Sequence, residues 1–125
     1  MTTTKYGKCE VFNLTQHQAT SAEVASGVTP EAPSAELKAL LTFQNLPSLE
    51  EVLERAEKLA DMAAGYPAAM VGGAPYLMAP LDSALKERGV EPVYAFSERK
   101  SVEKVLPDGS IQKTSVFEFK GFVGL

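Results

Sequence analysis

The chain has 125 residues, 45% of them hydrophobic and 22% charged, with a mean hydropathy of -0.06; this fits a single globular domain over residues 1–125 and excludes disordered, collagenous and membrane-embedded chains. A formal net charge of -4 argues against coating duplex DNA or lying on an anionic membrane, and no stretch approaches the ~18 apolar residues of a membrane span. One cysteine and one histidine leave no disulfide and no cysteine-rich zinc site, so no metal and no cofactor are expected, and the absence of a signal-like N-terminus predicts a cytoplasmic protein.

Cys9 to Leu14 reads as a short strand with Cys9 buried and inert inside it, running into the polar loop Thr15 to Thr20. Thr20 or Ser21 can cap a short helix ending near Ser26, with Glu23 in its first turn and Gly27 beyond its end. Residues 27–35 hold two prolines and a glycine and read as loop, and Leu37 to Phe43 reads as a helix turn feeding a strand at Leu40 to Phe43. The clearest helix opens at Ser48, where S-x-x-E predicts a capping box with Glu51. Leu49, Val52, Leu53, Ala56, Leu59, Ala60 and Ala63 follow at helical spacing as one apolar stripe, and the opposite acidic face reads as solvated.

After Gly65, the run Ala68-Ala-Met-Val71 suits a strand covered on both faces. Gly72 and Gly73 then lead into a second helix that reaches Arg88 and stops at Gly89. Pro75 and Pro80 cannot share its first turn, so the helix either begins near Pro80 or begins near Pro75 and kinks. Pro92 to Ser97 reads as a strand, Ser97 to Ser101 as a loop, and Arg99 to Leu106 with Ile111 to Phe119 as a hairpin around Pro107-Asp-Gly-Ser110. The alternation of strands and helices predicts a Rossmann-like three-layer α/β domain, with a mostly parallel sheet and a C-terminal antiparallel hairpin.

In open sheets of this kind, ligands lie beyond the carboxyl ends of the strands. Three segments are expected there. Gly72 and Gly73 let backbone amides approach an anion at the start of a helix, although the sequence lacks the Lys-Ser/Thr of a P-loop and the third glycine of a dinucleotide fingerprint. Ser97, Arg99, Lys100 and Ser101 can grip phosphate oxygens, and they also suit an ordinary exposed loop. His17, flanked by Thr15, Gln16 and Gln18, can move a proton near neutral pH, though no acid or cysteine stands at triad spacing. Tyr76 completes the candidate binding set.

Val11 to Thr20 and the run from Gly89 through Lys104, Asp108-Gly109 and Val116 to Phe119 resemble the small stand-alone CRISPR-associated Rossmann-fold (CARF-like) proteins. Related short proteins occur in phage and prophage. The resemblance implies a homodimer binding a cyclic oligoadenylate-like messenger of antiviral signalling across a two-fold cleft. It places Thr15 and His17 near this cyclic nucleotide ligand, Gly72 and Gly73 against its phosphate, and Ser97, Arg99 and Lys100 in a basic loop beside it, while Gln16, Gln18, Tyr76 and Ser101 are binding candidates from the loops themselves. It further implies metal-independent ring nuclease chemistry, in which a ribose 2′-hydroxyl attacks its own phosphate while Arg99 or Lys100 stabilises charge and His17 moves protons. Little basic character near Gly72 departs from that family's pattern. The alternatives are a phage or prophage interaction module, docking through the hairpin, and a nucleotide sponge without enzymatic activity.

Overall fold

The computed structural model describes residues 6–124. In chain order it has strand β1 (Val11–Leu14), helices α1 (Ser21–Ala25), α2 (Ala35–Leu41) and α3 (Leu49–Ala63), strand β2 (Ala68–Val71), helix α4 (Pro75–Glu87), and strands β3 (Glu91–Val105) and β4 (Ile111–Gly124). These make a mixed α/β fold around one sheet of order β1-β2-β3-β4, in which the first three strands are parallel and β4 is antiparallel to β3. Residues 27–29 extend the free edge of β1: the Val11 amide donates to the Gly27 carbonyl (3.0 Å) and the Thr29 amide to the Val11 carbonyl (2.9 Å).

Caps set the helix starts. At α1 the Thr20 hydroxyl accepts the Glu23 amide (3.2 Å) while the Glu23 carboxylate accepts the Thr20 amide (2.9 Å), a complete capping box. At α3 only half of the expected box forms. The Ser48 hydroxyl accepts the Glu51 amide (3.1 Å), whereas the Glu51 carboxylate turns along the helix to Arg55 (3.4 Å).

Helix α2 replaces the strand expected at Leu40 to Phe43. Leu37 and Leu41, four residues apart, bury one face, and Thr42 ends the helix with its hydroxyl donating to the Lys38 carbonyl (2.7 Å). Helix α4 begins at Pro75 and runs through Pro80, which removes the amide that would have bonded the Tyr76 carbonyl. Of the α3 stripe, Val52, Ala56, Leu59, Ala60 and Ala63 are buried, while Leu49 and Leu53 stay exposed. The acidic face is not simply solvated, since Glu57 and Asp61 clasp Arg88 at the end of α4, with 2.9 Å to Asp61.

The buried side chains form two clusters, one on each sheet face. Leu14, Ala69 and Val71 pack beneath α2, α3 and α4 through Leu41, Leu59, Leu77, Leu81 and Leu85. Val11, Ala68, Met70, Val93 and Phe122 form the second cluster with Val28, Tyr6, Ala19 and Phe119, and among the described residues it contains none from a helix. The sheet is therefore roofed by helices mainly on one face.

Two further expectations need correction. Cys9 is exposed, in a turn at φ +58° before β1, because the chain enters the strand only at Val11. Ser97 to Ser101 is not a loop but the middle of β3, which continues beyond an irregularity at Phe96/Ser97 and stays paired with β4 out to Val105↔Ile111. The segment is polar because the hairpin leaves the body there and both of its faces meet water. The expected turn is present, with Gly109 at φ +86° and the Asp108 carboxylate accepting the Ser110 amide (2.9 Å).

Two leucines test this distribution. Leu59→Ala, at a fully buried position, should lower the unfolding free energy by about 2–5 kcal/mol in urea denaturation. Leu46→Ala, at a site almost wholly in solvent, should change it by no more than about 0.5 kcal/mol.

Candidate functional site

Parallel pairing sets Leu14 beside Val71, so the two strands end level and the loops after them leave the sheet side by side. A hollow of about 500 Å³ opens there. Thr15, Gln16, His17 and Gln18 form one wall, Gly72, Gly73 and Ala74 another, and Tyr94 and Ala95 bring in β3. Leu41, Met70 and Val71 supply apolar floor, and Thr20 and Glu23 stand at the α1 side.

The first wall is held by Asn13, a buried amide on β1. Its Nδ2 donates to the His17 carbonyl (2.7 Å), and its Oδ1 accepts from the Thr15 amide (3.1 Å) and hydroxyl (2.6 Å). The Asn13 backbone amide donates to the Thr29 hydroxyl (3.1 Å), so the edge segment at residues 27–29 braces the same strand end. Both glutamines act as struts: Gln16 Nε2 donates to the Thr42 hydroxyl (3.1 Å) and Gln18 Nε2 to the Pro30 carbonyl (3.0 Å). The His17 imidazole makes no hydrogen bond among the described residues and is exposed at the rim.

The second wall is backbone. A Cβ on Gly72 would lie 3.4 Å from Thr15 Cγ2, so a glycine lets the two loops approach each other closely. Helix α4 follows its N-cap Ala74 with no side chain capping it; Pro75 has no amide and the Leu77 amide donates to the Ala74 carbonyl (3.0 Å), so of the first three helical residues only Tyr76 keeps an amide for an outside acceptor. Among the described residues no lysine or arginine lines the hollow, so the attraction these residues offer an anion rests on amides and the helix dipole.

On β3, the Tyr94 hydroxyl donates to Asp82 Oδ2 on α4 (2.8 Å), while Asp82 Oδ1 is buried without a partner among the described residues. Burial pushes the Asp82 carboxyl above its usual range, against the bond from Tyr94 and the nearby Lys86. Burial and the bond to Asp82 push the Tyr94 phenol up to about 12.

Six of the residues expected from sequence meet here: Thr15, Gln16, His17, Gln18, Gly72 and Gly73. Tyr76 lies outside, its ring 5.2 Å from Phe43 and its edge on a separate apolar groove with Leu46 and Leu49. Ser97, Arg99, Lys100 and Ser101 are also outside, carried away on the hairpin: the Arg99 guanidinium lies 5.8 Å over the Phe117 ring, and Lys100 pairs with Glu118 at 2.8 Å. Asn13 and Tyr94 escaped the sequence reading. A polar amide in an otherwise apolar strand, directly before a polar loop, was the signal for Asn13; nothing local marks Tyr94.

Fold and site together define a small α/β protein with a polar-walled hollow over the ends of its parallel strands. The chain belongs to the family described as Uncharacterized protein MJ1673 family, whose model matches residues 9–123. Comparison with curated proteins and with solved structures gives no match.

Removing the Asn13 side chain leaves the half-buried Thr15 amide without its acceptor and the His17 carbonyl with only the Thr15 hydroxyl (3.1 Å), so Asn13→Ala should cost about 0.5–1.5 kcal/mol in denaturant melts and should speed hydrogen exchange at the Thr15 amide. In alkaline titration, one of the four tyrosines should ionise last, near 12, and Tyr94→Phe should delete that step. The folded phenol titrates above its unfolded value of about 10, so the stability it contributes is intact below that pH and lost as pH rises through about 12.

Proposed function

We propose that the hollow binds a phosphate-bearing small molecule of the nucleotide class. Its phosphate sits against the Gly72–Gly73 turn and the uncapped start of α4, and its base or sugar lies along Thr15 to Gln18. The observation that carries this reading is the adjacency of a glycine turn, the N-cap of α4 and a pinned polar loop around one cavity. The CARF-like resemblance makes the ligand a cyclic oligoadenylate-like messenger, and with it a cytoplasmic setting. On the same reading the fold is Rossmann-like, with three parallel strands joined through helices and the second helical layer reduced to the short α1.

Binding without ring cleavage is the form the geometry favours. The cations assigned to charge stabilisation, Arg99 and Lys100, are engaged on the hairpin with Phe117 and Glu118, and of the described side chains lining the hollow, those able to exchange a proton include His17 and Glu23, whose carboxylate already accepts the Thr20 amide. Such a protein sequesters or reads a nucleotide, and it needs amides and shape more than a catalytic pair.

A thermal-shift series with inorganic phosphate, AMP, ADP and cyclic oligoadenylates tests this, with mass spectrometry of each mixture. A cyclic adenylate at a hundredfold over its Kd should stabilise the fold by about 2.7 kcal/mol and be recovered intact. Gly72→Val, which fills the gap toward Thr15, should weaken binding about tenfold or more, or about 1.4 kcal/mol. No shift with any of these compounds at millimolar concentration removes the proposal, and an opened ring restores the nuclease reading.

A further inference from the structure

Beyond the body, β3 and β4 pair only with each other, since β2 reaches no further along β3 than Val93. Such a ribbon has two faces, because directly opposed residues point the same way and successive pairs alternate. One face neutralises itself: Lys100 lies 2.8 Å from Glu118, and Lys120 lies 3.0 Å from Glu118 and 3.7 Å from Glu98. The other carries Phe117, Val105 and Ile111, which are 71%, 72% and 59% exposed, and runs back into the body at Phe119. A two-stranded ribbon is marginal alone in water, and this face sets its exposed apolar side chains at either end of a polar middle, whereas the first face exposes Val102 and Val116 among its paired charges.

The order of residues on that strip says what fits it. From base to tip, the opposed pairs are Ser97/Phe119, Arg99/Phe117, Ser101/Ser115, Glu103/Lys113 and Val105/Ile111. The middle pair is two serines, small enough for close approach. Turning the strip end for end about that middle, and laying it face to face on an identical strip, keeps β3 over β3 and β4 over β4. Glu103 then meets Arg99 of the partner subunit, Lys113 meets the face of Phe117 of the partner subunit, and Ile111 meets Phe119 of the partner subunit. Charge opposes charge, cation opposes ring and Ile111 opposes Phe119, each twice by symmetry, while Val105 falls on Ser97 of the partner subunit. Within one chain these charges are poorly matched: Lys113 is 3.7 Å from Glu103, and Arg99 has no carboxylate partner among the described residues.

We propose that two copies of this chain associate through this strip, face to face and antiparallel, with the two-fold axis over Ser101 and Ser115. The inference is independent of the hollow and of any ligand. The strip is one ribbon about 10 Å wide and about 30 Å long, which is small for a specific interface, so association should depend on concentration.

Sedimentation equilibrium of the full chain from 1 to 300 µM (roughly spanning weak to moderate affinity) tests it, with thermal melts to confirm that each variant is folded. The wild type should move from one chain mass toward two. Ile111→Asp, Arg99→Glu and Glu103→Arg should each weaken association about tenfold or more. The double swap Arg99→Glu/Glu103→Arg should restore it, because it rebuilds the cross-copy ion pair with reversed sign. A wild type that stays monomeric throughout, a dimer indifferent to these substitutions, or a double swap no better than its parents would each overturn the proposal. None of those outcomes bears on nucleotide binding, which the thermal-shift series reads separately.

Discussion

The register that sets Leu14 beside Val71 governs the rest of the molecule. Two parallel strands ending level send their following loops out side by side, which sets Gly72 where an added Cβ would stand 3.4 Å from Thr15 Cγ2. Asn13 converts that proximity into a fixed wall, because a buried amide must satisfy both its donor and its acceptor, and the partners within reach are the backbone at Thr15 and the carbonyl of His17. A slip of one residue would send Asn13 to the helix-covered face and Leu14 to the other, losing core and site together. The helices above the sheet hold this register by burying Leu59, Leu77, Leu81 and Leu85 against it.

Much of this was legible in the residues. Hydroxyl caps at Thr20 and Ser48 act within three residues and so leave a local trace, as do the Asp108-Gly109 turn and the Gly72–Gly73 break after β2. Failures came where tertiary context decides. Leu40 to Phe43 lacks any local mark separating helix from strand, and burial of Leu37 and Leu41 settles it. Ser97 to Ser101 has loop composition because water surrounds the ribbon there, and its strand state depends on partners some twenty residues away in sequence. The same misreading pulled Arg99 and Lys100 into the expected site. Only the two walls that leave adjacent parallel strands meet at the hollow.

The molecule thus divides its surface by chemistry. The hollow is built from backbone amides, hydroxyls and amide side chains, with no lysine or arginine among the described residues of its lining, in a chain of net charge -4. An anion drawn to this protein would find no cationic funnel, so recognition depends on geometry at short range rather than steering at long range. Nucleotide sensing and self-association, both proposed here, would then occupy separate parts of one sheet, linked by the continuous run of β3 from Tyr94 at the hollow to Val105 at the tip.

The most direct test of the central claim is an amide-resolved NMR titration of the full chain with a cyclic oligoadenylate. The account predicts saturable shifts at Thr15 to Gln18, at Gly72 and Gly73 and in the first turn of α4, with little change from Arg99 to Ser101. Shifts confined to the hairpin, or none at saturating ligand, would contradict it.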